Sequence, residues 1–181
     1  GSLARSLLST VESYASNLMG AINKVDRFIA VSDFQRLKLV ELGIPNHKIT
    51  TVHNFIDLSD IEVSQQPGEY FLYFGRLEGY KGIFTLIEAA STLTDIPLLI
   101  VGDGTDRAEV EAIIQEKNLK HIKLLGFKQK RELRELIKGS ICTITPSEWY
   151  ETFGLTLIES FACGKPVIAS GIGGMTEIIT N

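Results

Sequence analysis

From Tyr70 onward the chain alternates short apolar runs with helix-length segments, and this pattern restricts the fold more than any single motif does. Strands are expected at Tyr70 to Phe74, Pro97 to Val101, Ile122 to Leu125, Ile141 to Thr145 and Val167 to Ala169. Between them fall helices from about Gly82 to Leu93, Arg107 to Lys117, Lys130 to Ile137, and a last one that starts near Phe153-Gly154 and stops at Gly164. Apolar strands separated by helices imply parallel strands joined by right-handed crossovers, with both faces of the sheet covered. The expected class is therefore α/β, a Rossmann-like doubly wound parallel sheet. In such sheets ligands bind at the carboxyl ends of the strands, so the loops after Phe74, Val101, Leu125, Thr145 and Ala169 should face one crevice.

The first third of the chain reads differently. Residues 3 to 20 form a mixed segment of helical character, after a Gly1-Ser2 start that looks like a cloning remnant. Val25 to Ser32 reads as a buried strand, Ser32-Asp33 caps a helix that Ile44-Pro45 ends, and Lys48 to His53 is a second strand. A turn from Asn54 to Asp57 and a polar connector through Pro67 follow, so a domain boundary is placed after Asp57, giving 1–57 and 58–181.

Function concentrates in the loops. Gly75-Arg76-Leu77-Glu78-Gly79-Tyr80-Lys81-Gly82 follows a strand and opens a helix, which brings Arg76 and Lys81 to the crevice mouth. Arginine grips a phosphate with two parallel donors and lysine adds a point charge. An isolated pair of this kind would as readily meet Glu78 or solvent; the strand-end position favours an anion. The amides of Gly154, Leu155 and Thr156 open the last helix, where orphan donors and the helix dipole favour a phosphate. Glu159 lies one turn further on, where a carboxylate can accept hydrogen bonds from ribose hydroxyls. Glu151 precedes the helix on a loop and can reach a third polar group. Phosphate, ribose and a polar head together describe a nucleotide sugar.

Several other chemistries are disfavoured. A formal charge of −4 supplies no basic field for nucleic acid. Cys142 and Cys163 lie inside apolar runs and read as small core residues of a reducing compartment, which points to the cytoplasm. His47, His53 and His121 lack metal-ligand spacing, so no metal is expected. Gly102-Asp103-Gly104 evokes a dinucleotide fold, but Arg107 stands where that fingerprint needs a small residue. It reads instead as a tight turn with Asp106 capping the next helix. No run reaches membrane-spanning length.

The string from Pro146-Ser147 through Glu151-Thr-Phe-Gly-Leu-Thr-Leu-Ile-Glu159 to Ala162-Cys-Gly-Lys-Pro-Val167 and Gly173-Gly174 resembles the Glu-x7-Glu signature of retaining glycosyltransferases of the GT-B fold, specifically glycosyltransferase family 4, the glycosyl transferases group 1 domain. The resemblance implies metal-independent transfer from a nucleoside-diphosphate sugar, without a cofactor, to a glycan or lipid, in cell-envelope polysaccharide synthesis and with peripheral membrane association of the whole protein. It gives Arg76 and Lys81 the donor diphosphate, with Gly75 beside them, and places the nucleobase against the loop of Phe127 and Lys128. Glu159 then takes the ribose, and Glu151 acts as catalytic stabiliser, with Phe153, Gly154, Leu155 and Thr156 at the phosphate. Trp149 and Tyr150 can pack on a sugar or anchor their loop.

Two residues depart from the family pattern: Phe55 where glycine usually follows Asn54, and Thr176 where proline often stands. The resemblance further implies that an acceptor domain lies outside these residues except for its end. The helices closing the fold after Glu177 are expected outside them as well, so this stretch alone should bind a nucleotide and transfer nothing. A GT-B nucleotide-sugar epimerase and a noncatalytic nucleotide-binding module are the alternatives.

Overall fold

The structure, a computed structural model, describes residues 6–12 and 19–179. The chain divides into two compact units between His53 and Asn54. Each is built around its own parallel sheet.

In the first unit, residues 6–12 are helical, and the rest of the expected helix at 3–5 and 13–18 lies outside the described residues. Strands β1 (Phe28–Ala30) and β2 (Ile49–Thr51) pair in parallel, with Phe28 opposite Ile49. β1 is shorter than the apolar run that contains it, because only the residues facing Ile49–Thr51 find a partner. Helix α1 (Asp33–Glu41) starts as its sequence predicts: Ser32 Oγ accepts from Gln35 N at 3.0 Å, and Gln35 Oε1 accepts from Val31 N at 2.7 Å. Ala30, Ile44 and Ile49 form a small core with Phe28 and Leu39 against them.

The second unit is a five-stranded parallel sheet in the order β5-β4-β3-β6-β7, with β3 Tyr70–Phe74, β4 Leu98–Val101, β5 Ile122–Gly126, β6 Ser140–Thr145 and β7 Val167–Ala169. From β3 the chain steps outward to β4 and β5 through α2 (Ile83–Ala90) and α3 (Arg107–Glu116). It then crosses back through α4 (Lys130–Lys138) to β6, and reaches β7 through α5 (Leu155–Ala162). The period-2 alternation of strand side chains sorts the core into two layers. Tyr73 and Ile100 meet Ile83, Leu86, Ile87 and Val110 on one face, while Leu72, Phe74 and Val101 meet Ile137 and Cys163 on the other. Leu72 and Ile100 are fully buried, and truncating either to alanine removes about 2–5 kcal/mol.

Two element boundaries differ from expectation for local reasons. The helix expected from Gly82 to Leu93 ends at Ala90, because the Ser91 and Thr92 hydroxyls donate back to the Glu88 and Ala89 carbonyls and divert the backbone. Its start is also delayed, since Gly79–Lys81 forms a separate 3-10 turn and Gly82, at φ 74°, divides the two.

Candidate functional site

β3 and β6 lie side by side, and the connections that leave them run to opposite sides of the sheet. This reversal opens a crevice at their carboxyl ends. The crevice is shaped by loops packing backbone against backbone. A Cβ on Gly82 would stand 1.9 Å from the Pro146 carbonyl oxygen, and one on Gly102 would stand 1.8 Å from that of Gly75. Gly102 therefore serves to admit the loop after β3. Hydrogen bonds fasten these contacts: Leu77 N to Asp103 O at 2.9 Å, Glu148 N to Tyr80 O at 2.9 Å, and Tyr73 Oη to Arg76 O at 2.7 Å. Asp106 corrects its expected role. Its side chain makes no cap to its own helix and instead accepts from Gly79 N at 2.6 Å, tying one loop to the next.

A cavity of about 300 Å³ opens here. Eight of the residues singled out from the sequence line it: Gly75, Arg76, Lys81, Glu151, Phe153, Gly154, Leu155 and Thr156, with Asn54 and Ser147 beside them. Gly154, φ 114°, is the N-cap of α5 and makes no side-chain cap; with Leu155 and Thr156 it lines the cavity, which places the positive end of the helix dipole at the cavity wall. Lys81 Nζ lies 2.5 Å from Glu151 Oε1, and both side chains are only about a quarter exposed, at 26% and 23%. Ser147 Oγ, buried, donates to the same carboxylate oxygen at 3.1 Å. Arg76 is exposed and paired with Glu78, the alternative partner that the sequence allowed. The Glu78 carboxylate is buried, and its Oε2 has no hydrogen-bond partner among the described residues. The Tyr80 phenol is pushed up, first by its hydrogen bond to Glu78, and burial pushes the Tyr73 phenol up.

Glu159 lies elsewhere. It lines a second cavity, about 280 Å³, with Asp57, Lys130 and Arg134 among the apolar groups of Phe55, Ile61, Leu133, Ile137 and Cys163. Burial pushes its carboxyl above the usual glutamate range, opposed by the nearby charges of Lys130 and Arg134. Leu155 lines both cavities, whereas Glu151 and Glu159 each line one. Phe127 is exposed and Lys128 faces Glu132 at 3.9 Å; neither lines the cavity of Glu151 or that of Glu159. Trp149 and Tyr150 are exposed beside Glu151.

Reasoning from the sequence missed Ser147, Lys130 and Arg134 as parts of these cavities, and it missed the burial of Glu78 beside Arg76. Lys130 and Arg134 carried a usable signal, since residues four apart share one helix face. Glu78 carried none, because nothing in its neighbourhood announces burial.

A doubly wound parallel sheet with a polar cavity at the strand-order reversal is a Rossmann-like fold, the fold of GT-B glycosyltransferases among solved structures. The chain belongs to the glycosyl transferases group 1 family, whose model matches residues 55–181; the Glycosyltransferase Family 4 model matches residues 2–60. An uncharacterized glycosyltransferase of Methanocaldococcus jannaschii is 32% identical over 161 residues, covering 88% of this chain and 44% of that protein. The N-acetyl-alpha-D-glucosaminyl L-malate synthase of Bacillus anthracis is 29% identical over 172 residues, covering 87% and 45%. The chain thus spans less than half the length of these relatives. Anabaena HepE, solved in complex with UDP and glucose, superposes with a TM-score of 0.79 at 24% identity, over 92% of this chain and 51% of that one, a likeness of fold. Among the described residues no helix is long and apolar enough to cross a membrane.

Proposed function

We propose that residues 54–181 bind the donor of a retaining glycosyltransferase, which moves a sugar from a nucleoside diphosphate to a glycan or lipid acceptor. The observation that carries this reading is the convergence of Lys81, Glu151 and the start of α5 on one cavity at the strand-order reversal. A diphosphate there meets the α5 dipole and the charges of Lys81 and Arg76, which offset the negative charge that builds up on the leaving group. The Glu151 carboxylate sits on the sugar side, where it orients hydroxyls and stabilises the positive charge developing at the anomeric carbon. The anomeric carbon–oxygen bond to phosphate breaks, the acceptor oxygen bonds to the same face of that carbon, and the acceptor proton passes to the departing phosphate. Glu159 accepts from the ribose hydroxyls, and the base lies toward the loop of Phe127 and Lys128. The solved Anabaena neighbour, which holds UDP and glucose, supports the choice of ligand class.

In this reading the protein needs neither a metal nor a cofactor and works in the cytoplasm, at the membrane surface when the acceptor is a lipid. Calorimetric titration with UDP, GDP and ADP, each with and without EDTA, tests it. One nucleoside diphosphate should bind with an affinity that EDTA leaves unchanged. Binding of none of the three would rule the reading out.

A further inference from the structure

The cavity of Glu151 holds its own cation. Lys81 Nζ and Glu151 Oε1 are 2.5 Å apart, and Ser147 Oγ reaches the same oxygen. The two partners differ in reach. Both backbones are held, Glu151 O accepting from Gly174 N at 2.7 Å and Lys81 N donating to Glu78 O at 2.8 Å, but the glutamate stem is two carbons shorter than that of the lysine. Lys81 ends a four-carbon stem, and its ammonium also lies 5.5 Å from the Tyr80 ring centroid, so it can swing without leaving all of its contacts. When a diphosphate enters, the ammonium is the group that moves.

This asymmetry has a consequence for which nucleotide the cavity prefers. Taking Lys81 away leaves a carboxylate that is three-quarters buried, whose remaining partner among the described residues is Ser147 Oγ, a hydroxyl with one proton that the Trp149 and Tyr80 carbonyls also approach. A buried charge stripped of its partner is costly. A nucleotide that carries a sugar brings hydroxyl donors to the stranded oxygen, whereas a bare nucleoside diphosphate brings none. We propose that the Lys81–Glu151 pair determines specificity for loaded donor over spent nucleotide, favouring entry of the first and release of the second. The inference rests on the donor-site reading above and adds a discrimination which that reading does not require.

The test compares UDP with UDP-glucose, GDP with GDP-mannose and ADP with ADP-glucose by calorimetry, in the wild-type protein, Glu151→Gln and Ser147→Ala. For whichever base binds, the wild type should favour the sugar nucleotide by about tenfold. Glu151→Gln should bind the bare diphosphate several-fold more tightly than wild type does, because no carboxylate is stranded, and its preference for the sugar nucleotide should fall to within about threefold. Ser147→Ala should move the other way, weakening the bare diphosphate more than the sugar nucleotide. Should Glu151→Gln fail to fold, the Ser147→Ala comparison decides alone. Weaker or unchanged binding of the bare diphosphate by a folded Glu151→Gln, or an unchanged preference in Ser147→Ala, overturns the proposal while leaving the donor site intact. Absence of binding to all six nucleotides in the wild type overturns the donor site and this proposal with it.

Discussion

The two cavities that share Leu155 are built by different means. Around Glu151 the walls are loops in backbone contact, at Gly82 with Pro146 and at Gly102 with Gly75, and the polar groups inside are paired with one another. Around Glu159 the walls are side chains, Phe55, Ile61, Leu133 and Ile137, and the carboxyl there is pushed up by burial. A backbone-built wall holds charges at fixed separations and tolerates little change. A wall of side chains adapts its shape, and here it encloses Glu159 with the charges of Lys130 and Arg134 nearby. Two identical residues eight positions apart thereby acquire different chemistry from what encloses them.

The largest effect should come from breaking the rigid wall. A Cβ at Gly82 meets the Pro146 carbonyl and also forces φ 74° on a residue that avoids it, so Gly82→Ala should cost about 3 kcal/mol of stability. Gly171, with nothing within 4 Å of its would-be Cβ, supplies the control, and Gly171→Ala should stay within about 0.5 kcal/mol of wild type. Equal urea midpoints for the two variants would mean that the contact between the β3 and β6 loops does not hold the cavity together.

A smaller effect should separate the cations inside the first cavity. Lys81 is mostly enclosed, so Lys81→Ala should weaken nucleoside-diphosphate binding by about 1.5–3 kcal/mol, the range for a hydrogen bond to a charged group. The Arg76 side chain is 68% exposed and engaged by Glu78, so Arg76→Ala should cost about 1 kcal/mol. Calorimetry with the diphosphate identified for the wild type ranks the two. A greater loss in Arg76→Ala would show that exposure misjudges which cation the ligand uses.

Much of this architecture could be read from the residues, and the reason is local. Each run from Tyr70 onward expected to be a strand contains one, because short runs rich in apolar and β-branched residues, set apart by helix-length segments, are what parallel crossovers require. Crevice residues such as Arg76 and Gly154 could be located because strand ends alone decide where a doubly wound sheet binds. The pairing of Lys81 with Glu151 could not be read, since it joins residues 70 positions apart and depends on how two loops pack. Asp106 misled for a related reason: its place before a helix resembles a cap, but a neighbouring loop brings the Gly79 amide within reach. The placement of Glu159 and Glu151 in different cavities was hidden too, because helical spacing gives the face of a residue and not which side chains enclose it.

The smallest effect concerns Glu159 and is a matter of pH. Its folded-state pKa is raised above the unfolded value, so between those two values the folded chain carries a proton that the unfolded chain has lost. Stability from this group is therefore greatest below the ordinary glutamate range and falls as the pH rises through the window, leaving a buried charge above it. Glu159→Gln removes that charge without changing the shape of the residue. The variant should melt slightly above wild type near pH 8, and the advantage should vanish below about pH 4, where both side chains are neutral. On the proposed donor-site reading the same substitution should weaken the preference for a ribonucleotide over its 2′,3′-dideoxy analogue, because a carboxylate offers two acceptor oxygens to the two hydroxyls where the amide offers one. In the wild type that preference should fade on acidification at a higher pH than an exposed glutamate would give. Thermal melts from about pH 4 to pH 8 decide the first point. A difference between variant and wild type that stays constant over that range would place Glu159 in water, and the contrast between the two cavities would then rest on shape alone.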